Sequence, residues 1–211
     1  MLGVARPAKA SGPPLLSVGS RGTAVVALQW SLSRLHYDVG PVDGIFGYST
    51  YHGVVAFQKV NSLERDGIVG PLTQRALRNP VEPRARHRAT GWGIEIDLTR
   101  QVLYVTRNGE IARILDASTG SGRRYRQEGS WHRAVTPMGS FRMARRIDGW
   151  RRSPLGRLYR PGYFYYGYAI HGSGSVPPFP ASHGCVRVTI QGMDRIWSRI
   201  RVGVRVWIYR R

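Results

Sequence analysis

Apolar positions in the first third of the chain follow a helical period. From Thr23, Val25, Leu28, Leu32 and Leu35 recur three or four apart, and Val54 and Phe57 lie in a second stretch of the same kind. After Trp92 the period shortens to two. Ile94, Ile96 and Leu98 alternate with Glu95 and Asp97, Val102 to Thr106 follows, and Asn108-Gly109 turns the chain into Ile111 to Ala117. This pattern predicts a β-meander. Phe141 to Ile147, Tyr163 to Ile170 and Val202 to Tyr209 are further strand candidates, while Ile190, Met193, Ile196, Trp197 and Ile200 form a late helical stripe.

Between the helical stretches lies an internal repeat, DGIFGYST at 43 to 50 and DGIVGPLT at 66 to 73. Asp-Gly favours a tight turn with positive φ at the glycine, and the second glycine lets the chain enter the next helix. The isoleucine is expected to plug each loop into the core. Pro71 suits the first turn of a third helix. The predicted fold class is therefore a multidomain α+β protein, with a small three-helix N-terminal bundle and a mainly β domain carrying one late helix. Residues 1–14, rich in Pro, Gly, Ala and Ser, read as a flexible lead-in. The bundle is assigned to 15–78, a Pro-containing linker to 79–91 and the β domain to 92–211.

Composition narrows the function classes. A net charge of +20 accompanies 42% hydrophobic residues, too many for a disordered basic tail. Ala24 to Leu28 and Tyr163 to Ile170, the longest apolar stretches, fall short of the ~18 residues of a membrane span. The first twenty residues lack the apolar core of ~7 to 15 residues that marks a secretory signal, a pattern shared by trimmed, mature and cytoplasmic chains. Lys9 and Lys59 are the only lysines among 32 basic residues. So arginine-rich a surface attracts polyanions without reading sequence, whether nucleic acid or anionic wall polymers. No RNA- or DNA-reading motif is present, and no specific nucleic-acid partner is expected. Oligomeric state is not legible.

Candidate chemistry concentrates in HGSGS at 171 to 175 and ASHGCVRV at 181 to 188. Cys185 is the only cysteine, which excludes an internal disulfide and zinc modules built on several thiolates. A thiolate is the reactive form of cysteine, so a catalytic Cys185 needs a nearby base or cation, and His171 and His183 are both candidates. Spacing does not separate them. Gly184 permits a tight turn that aims backbone N–H groups at an oxyanion, and Arg187 is suited to hold a carboxylate through two parallel hydrogen bonds. No metal or cofactor is expected. His36, His52, His87 and His132 lack comparable company and are assigned structural or surface roles.

Leu15 to Leu77 resembles the three-helix peptidoglycan-binding domain, on SVGSRGTAVVALQWSLSRLHY, VDGIFGYST, VVAFQ and DGIVGPLTQRAL. Gly93 to Tyr209 resembles the L,D-transpeptidase (YkuD) catalytic domain. The resemblance rests on His171-Gly172, on Ser182-His183-Gly184-Cys185-Val186-Arg187, and on TPMGSF at 136 to 141, with Leu158 to Ile170, Asp194, Trp197 and Val204 to Tyr209 also fitting. Thr189 departs from the asparagine of many relatives.

The resemblance implies that Cys185 is the nucleophile and that His171 is its base, oriented by backbone near Gly172 or Ser173. It makes Ser182 and His183 supporting residues, places the oxyanion site at N–H groups around His183, Gly184 and Cys185, and makes Arg187 the anchor of the stem peptide or of the loop. Arg145 to Tyr163 becomes a lid, and the aromatic series Tyr163 to Tyr168 either borders the peptide groove or forms a core strand face. The implied activity is cross-linking of the third residues of peptidoglycan stems, through a thioester and with release of terminal D-Ala. Carbapenems are the implied acylating inhibitors. An extracytoplasmic location follows from that substrate. L,D-carboxypeptidase activity and a non-catalytic wall-binding protein are the alternatives.

Overall fold

The computed structural model describes residues 15–211, and the lead-in expected for residues 1–14 lies outside them. Three helices come first: α1 (Thr23–Arg34), α2 (Tyr48–Val60) and α3 (Pro71–Arg78). Gly47 and Gly70 cap α2 and α3, and Pro71 opens the third helix. Each repeat loop is built alike. Gly44 and Gly67 turn at φ 73° and 72°, and the carboxylates of Asp43 and Asp66 accept the N–H of Ile45 and Ile68 at 2.9 and 2.8 Å.

The expectation that the isoleucines plug these loops is corrected. Ile45 and Ile68 are each 39% exposed, whereas the next residues, Phe46 and Val69, are buried. The loop interior is filled by amides instead. Gln29 Nε2 donates to Asp43 and Thr50 at 2.9 and 3.0 Å while its oxygen accepts from Gly44 N; Gln58 does the same for Asp66, Thr73 and Gly67. A buried turn has backbone groups to satisfy, and a glutamine amide can both donate and accept where an isoleucine cannot.

The β region holds two five-membered sheets and a hairpin. In the first, β3 (Glu110–Asp116), β2 (Val102–Arg107), β1 (Trp92–Asp97), β12 (Arg205–Tyr209) and β6 (Gly139–Arg142) lie side by side. In the second, β11 (Val186–Thr189), β10 (Tyr168–Ser173), β9 (Gly156–Tyr165) and β7 (Arg145–Arg146) are adjacent, with β8 (Trp150–Ser153) also on β9. The hairpin pairs β4 (Arg124–Gln127) with β5 (Ser130–Arg133). α4 (Ile190–Ile196) packs beneath the second sheet, and Thr189 Oγ1 caps it by accepting the N–H of Gly192 at 2.9 Å.

The meander and the late helix occur as expected, but two strand candidates divide. Tyr163 to Ile170 is the turn of the β9–β10 hairpin, reversing at Tyr166 with φ 41°. Phe141 to Ile147 changes sheets: β6 pairs with β12, then β7 with β9. An aromatic run satisfies strand propensity on both sides of a turn, so the sequence pattern does not reveal the break.

The sheets enclose a core of residues such as Ile94, Leu103, Ile170, Val186 and Met193. A second core lies on the opposite face of the first sheet. There Val102, Tyr104 and Ile114 pack against Val25, Leu32, Phe57 and Val60 of the helices. Strand β2 is therefore covered on both faces, which explains its unbroken apolar run. Glu95 and Asp97 are also buried. Glu95 accepts the N–H groups of Arg86 and His87 at 2.9 and 2.7 Å, strapping 79–91 to the sheet, and His87 stacks on Trp207. Asp38 of the helical module receives Arg195 of α4 through two 2.7 Å bonds and Arg113 of β3 at 2.6 Å. Helices, first sheet and second sheet thus form successive layers. Among the described residues no helix is long and apolar enough to cross a membrane.

Candidate active site

Strands β10 and β11 run parallel, with Ile170 opposite Val186 and His171 opposite Arg187. Side chains alternate between faces, so Ile170 and Val186 enter the core while His171 and Arg187 share the other face. Cys185, immediately before β11, falls on that same face, two residues from Arg187. The register brings residues from two separate segments to one cavity wall.

A close hydrogen-bonded frame fixes the Cys185 loop. Ser182 Oγ accepts the N–H of Gly184 at 3.0 Å and donates to the carbonyl of Cys185 at 2.5 Å. The carbonyl of Gly184 accepts from Thr136 Oγ1 at 2.7 Å, and Thr136 accepts from Gly120 N at 2.9 Å. Gly184 adopts φ 134°, and a β-carbon there would lie 2.6 Å from the Tyr168 ring. Only glycine fits this turn. On its outer side, residues 118–121 bind the loop through Ser118 with Arg187, and Thr119 with Ala181 and Ser182.

His171 is buried, and its Nδ1 lies 2.9 Å from the carbonyl of Gly172. A carbonyl only accepts, so Nδ1 carries the proton and Nε2 is left as the acceptor. Burial, reinforced by the Arg187 charge and opposed by the Gly172 carbonyl, lowers the His171 pKa to about 4. Burial pushes the Cys185 thiol up, against the opposing pulls of the Ala169 N–H and Arg187. Both shifts favour the uncharged form of the side chain, and the Cys185 thiol faces the carbonyl of Gly167 at 3.9 Å. His183 is differently placed: its ring meets Tyr125 of β4 edge-on at 4.7 Å.

The cavity over Cys185 measures about 500 Å³. Tyr125, Leu158, Tyr163 and Tyr168 supply apolar wall, and Arg145, Arg151, Arg157 and Arg187 supply four guanidinium groups; its lining includes no Asp or Glu. Arg145 lies over Tyr163 at 4.2 Å and Arg157 over Trp150 at 4.4 Å. Burial lowers the pKa of Arg187 while the nearby Cys185 raises it, and among the described residues its guanidinium has no ion-pair partner. The structure thus gathers His171, Ser173, Ser182, His183, Cys185 and Arg187 at one cavity, with Gly172 and Gly184 in its backbone. The N–H of Gly184 donates to Ser182 Oγ, which orders the turn that precedes Cys185. Tyr163 and Tyr168 border the groove, while Tyr166 is exposed. Thr136, Ser118, Thr119 and Tyr125 were not legible as site residues: each acts through a contact distant in sequence. Among the described residues no cluster of three or more His, Cys, Asp or Glu is placed to hold a metal ion.

Both regions of the chain are similar to known proteins. Residues 91–208 match the YkuD L,D-transpeptidase catalytic domain and residues 21–77 match the peptidoglycan binding domain family. The L,D-transpeptidase of Xylanimonas cellulosilytica superposes with a TM-score of 0.90 at 42% identity, covering 95% of this chain and 100% of that one. An L,D-transpeptidase from Stackebrandtia nassauensis shares the fold, with a TM-score of 0.52 at 22% identity over 92% of this chain and 94% of the other. An N-acetylmuramoyl-L-alanine amidase of Mycobacterium tuberculosis is 41% identical over 56 residues, 26% of this chain and 14% of the amidase. The chain spans about half or less of the curated relatives it matches. With its catalytic region matched across more than half its length, the chain belongs to the YkuD L,D-transpeptidase family and carries an N-terminal peptidoglycan-binding domain.

Proposed function

We propose that this protein is a peptidoglycan L,D-transpeptidase using Cys185 as nucleophile and His171 as general base. The observation that carries this reading is the shared face of Cys185, His171 and Arg187 beneath the arginine-lined cavity. As Sγ attacks the carbonyl of the third stem residue, the thiol proton passes to His171 Nε2. The resulting oxyanion is met by the N–H groups of His183 and Cys185. Collapse of the tetrahedral intermediate breaks the bond to terminal D-Ala, whose amine leaves with the proton from His171, and a thioester remains. An acceptor amine then attacks the thioester, gives up a proton to His171, and regenerates the thiol with a bond between third residues. Water in its place yields carboxypeptidase activity.

The hydrogen bond from Nδ1 to the Gly172 carbonyl supports this sequence, because it leaves Nε2 unprotonated and able to take the thiol proton. Arg187 supports carboxylate binding, and the lid arginines extend the positive field to other stem carboxylates. We assign an extracytoplasmic site of action, since the substrate lies there. The helical module serves retention on the wall, with non-specific attraction to anionic wall polymers adding to it. Intact-mass analysis with a tetrapeptide or a carbapenem tests the reading. Native protein should gain one acyl adduct, Cys185→Ala none, and His171→Ala should acylate on the order of 100-fold or more slowly. An equal adduct on Cys185→Ala overturns the assignment.

A further inference from the structure

Lys59 is a lysine of α2, in the helical module, yet its side chain is wholly buried. An ammonium has three N–H donors, and all three are taken by groups of the β region: Asp116 Oδ1 at 2.5 Å, the Ala117 carbonyl at 2.8 Å and the Gln101 carbonyl at 3.0 Å. The other oxygen of Asp116 lies 2.6 Å from Nδ1 of His52, also on α2. Helix α2 therefore holds the end of β3 by both carboxylate oxygens and a carbonyl.

The segment held in this way continues directly to the nucleophile loop. After Ala117, Ser118 exchanges two backbone hydrogen bonds with Arg187, at 2.9 and 3.0 Å. Thr119 O accepts from Ala181 and Ser182, both at 2.9 Å. Gln101, whose carbonyl Lys59 fixes, closes the frame: its side chain donates to Thr119 Oγ1 at 2.7 Å and accepts from Thr119 N at 2.8 Å. The bonds at Ser118 and Thr119 flank Cys185 on both sides.

We propose that Lys59 is a positioning residue for the Cys185 loop, so that the helical module forms part of the catalytic framework and is not a detachable anchor. This rests on Cys185 being the nucleophile. Burying an ion pair is costly, and two apolar residues would hold α2 to β3 at least as well. They would not hold the carbonyls of Gln101 and Ala117. The role of the ammonium is thus geometric: it fixes the strand end that sets the loop.

The test uses the full chain with Lys59→Met and the double variant Lys59→Met/Asp116→Leu, which removes both charges and protects against simple unfolding. Each is assayed well below its own melting temperature for carbapenem acylation, and for hydrogen exchange at the amides of Ser118, Ala181, Ser182 and Arg187. We expect acylation to slow tenfold or more in folded protein, with faster exchange at those four amides. A purely stabilising role would lower the melting temperature of Lys59→Met but leave the folded rate unchanged. Native acylation and exchange in the folded double variant would overturn the proposal. Absence of an adduct on the native chain would instead sink the assignment of Cys185, and the exchange measurement would still judge Lys59.

Discussion

Thr136 Oγ1 and the carbonyl of Gly184 are joined by a 2.7 Å hydrogen bond that ties the TPMGSF segment to the residue preceding Cys185. The same hydroxyl accepts from Gly120 N, so one buried side chain links the loop to the 118–121 segment on its other side. Thr136→Val keeps the shape and removes both bonds. Leaving buried polar groups unpaired costs about 1–3 kcal/mol each. We expect lower stability in urea and slower Cys185 acylation in protein that remains folded. A Thr136→Ser variant should recover most of both, because it restores the hydroxyl.

The depressed pKa of His171 makes two pH predictions. For catalysis, the base must be neutral, so the acylation rate should fall as pH drops through about 4, well below the range of an ordinary histidine. An acid limb near pH 6.5 would contradict the buried, Arg187-facing environment.

For stability, the unfolded histidine binds its proton near pH 6.5 whereas the folded one does so near 4. Between those values the unfolded state holds more protons. The residue's contribution is fully present above pH 6.5, declines as pH falls to 4, and is level below that. The loss across this window is roughly 3 kcal/mol. Urea unfolding of native protein and His171→Gln at pH 7 and pH 4.5 measures it: the difference between the two proteins should shift by most of that amount.

Arg187 has a binding and an electrostatic consequence. Arg187→Gln removes a charged fork worth about 1.5–3 kcal/mol when it meets a carboxylate, so the KM for a stem tetrapeptide should rise on the order of tenfold or more. The same change removes a charge that lowers the pKa of both His171 and Cys185. The acid limb of acylation should therefore move upward in pH. A stem whose carboxylates are amidated should bind the native protein more weakly and respond less to the substitution.

Much of the molecule was legible along the chain. The change of period near Trp92, the two Asp-Gly loops, Pro71 at a helix start, and the grouping of the lone thiol with two imidazoles in the His171-Gly172 and Ser182 to Arg187 segments each follow from local chemistry: backbone sterics, side-chain periodicity and residue type. Other features were decided by partners far away in sequence. Lys59 has the pattern of an ordinary helical lysine, and Glu95 and Asp97 have that of a solvated strand face. All three are buried because other segments of the chain fold over them. Ile45 and Ile68 gave up the loop interiors to glutamines from neighbouring helices, and Tyr163 to Ile170 turned where it was expected to run straight. The pKa shifts of Cys185 and His171 belong to this second group. Residue type sets a reference pKa, but the shift depends on desolvation and on the charge of Arg187, and both exist only once strands β10 and β11 have paired and packed.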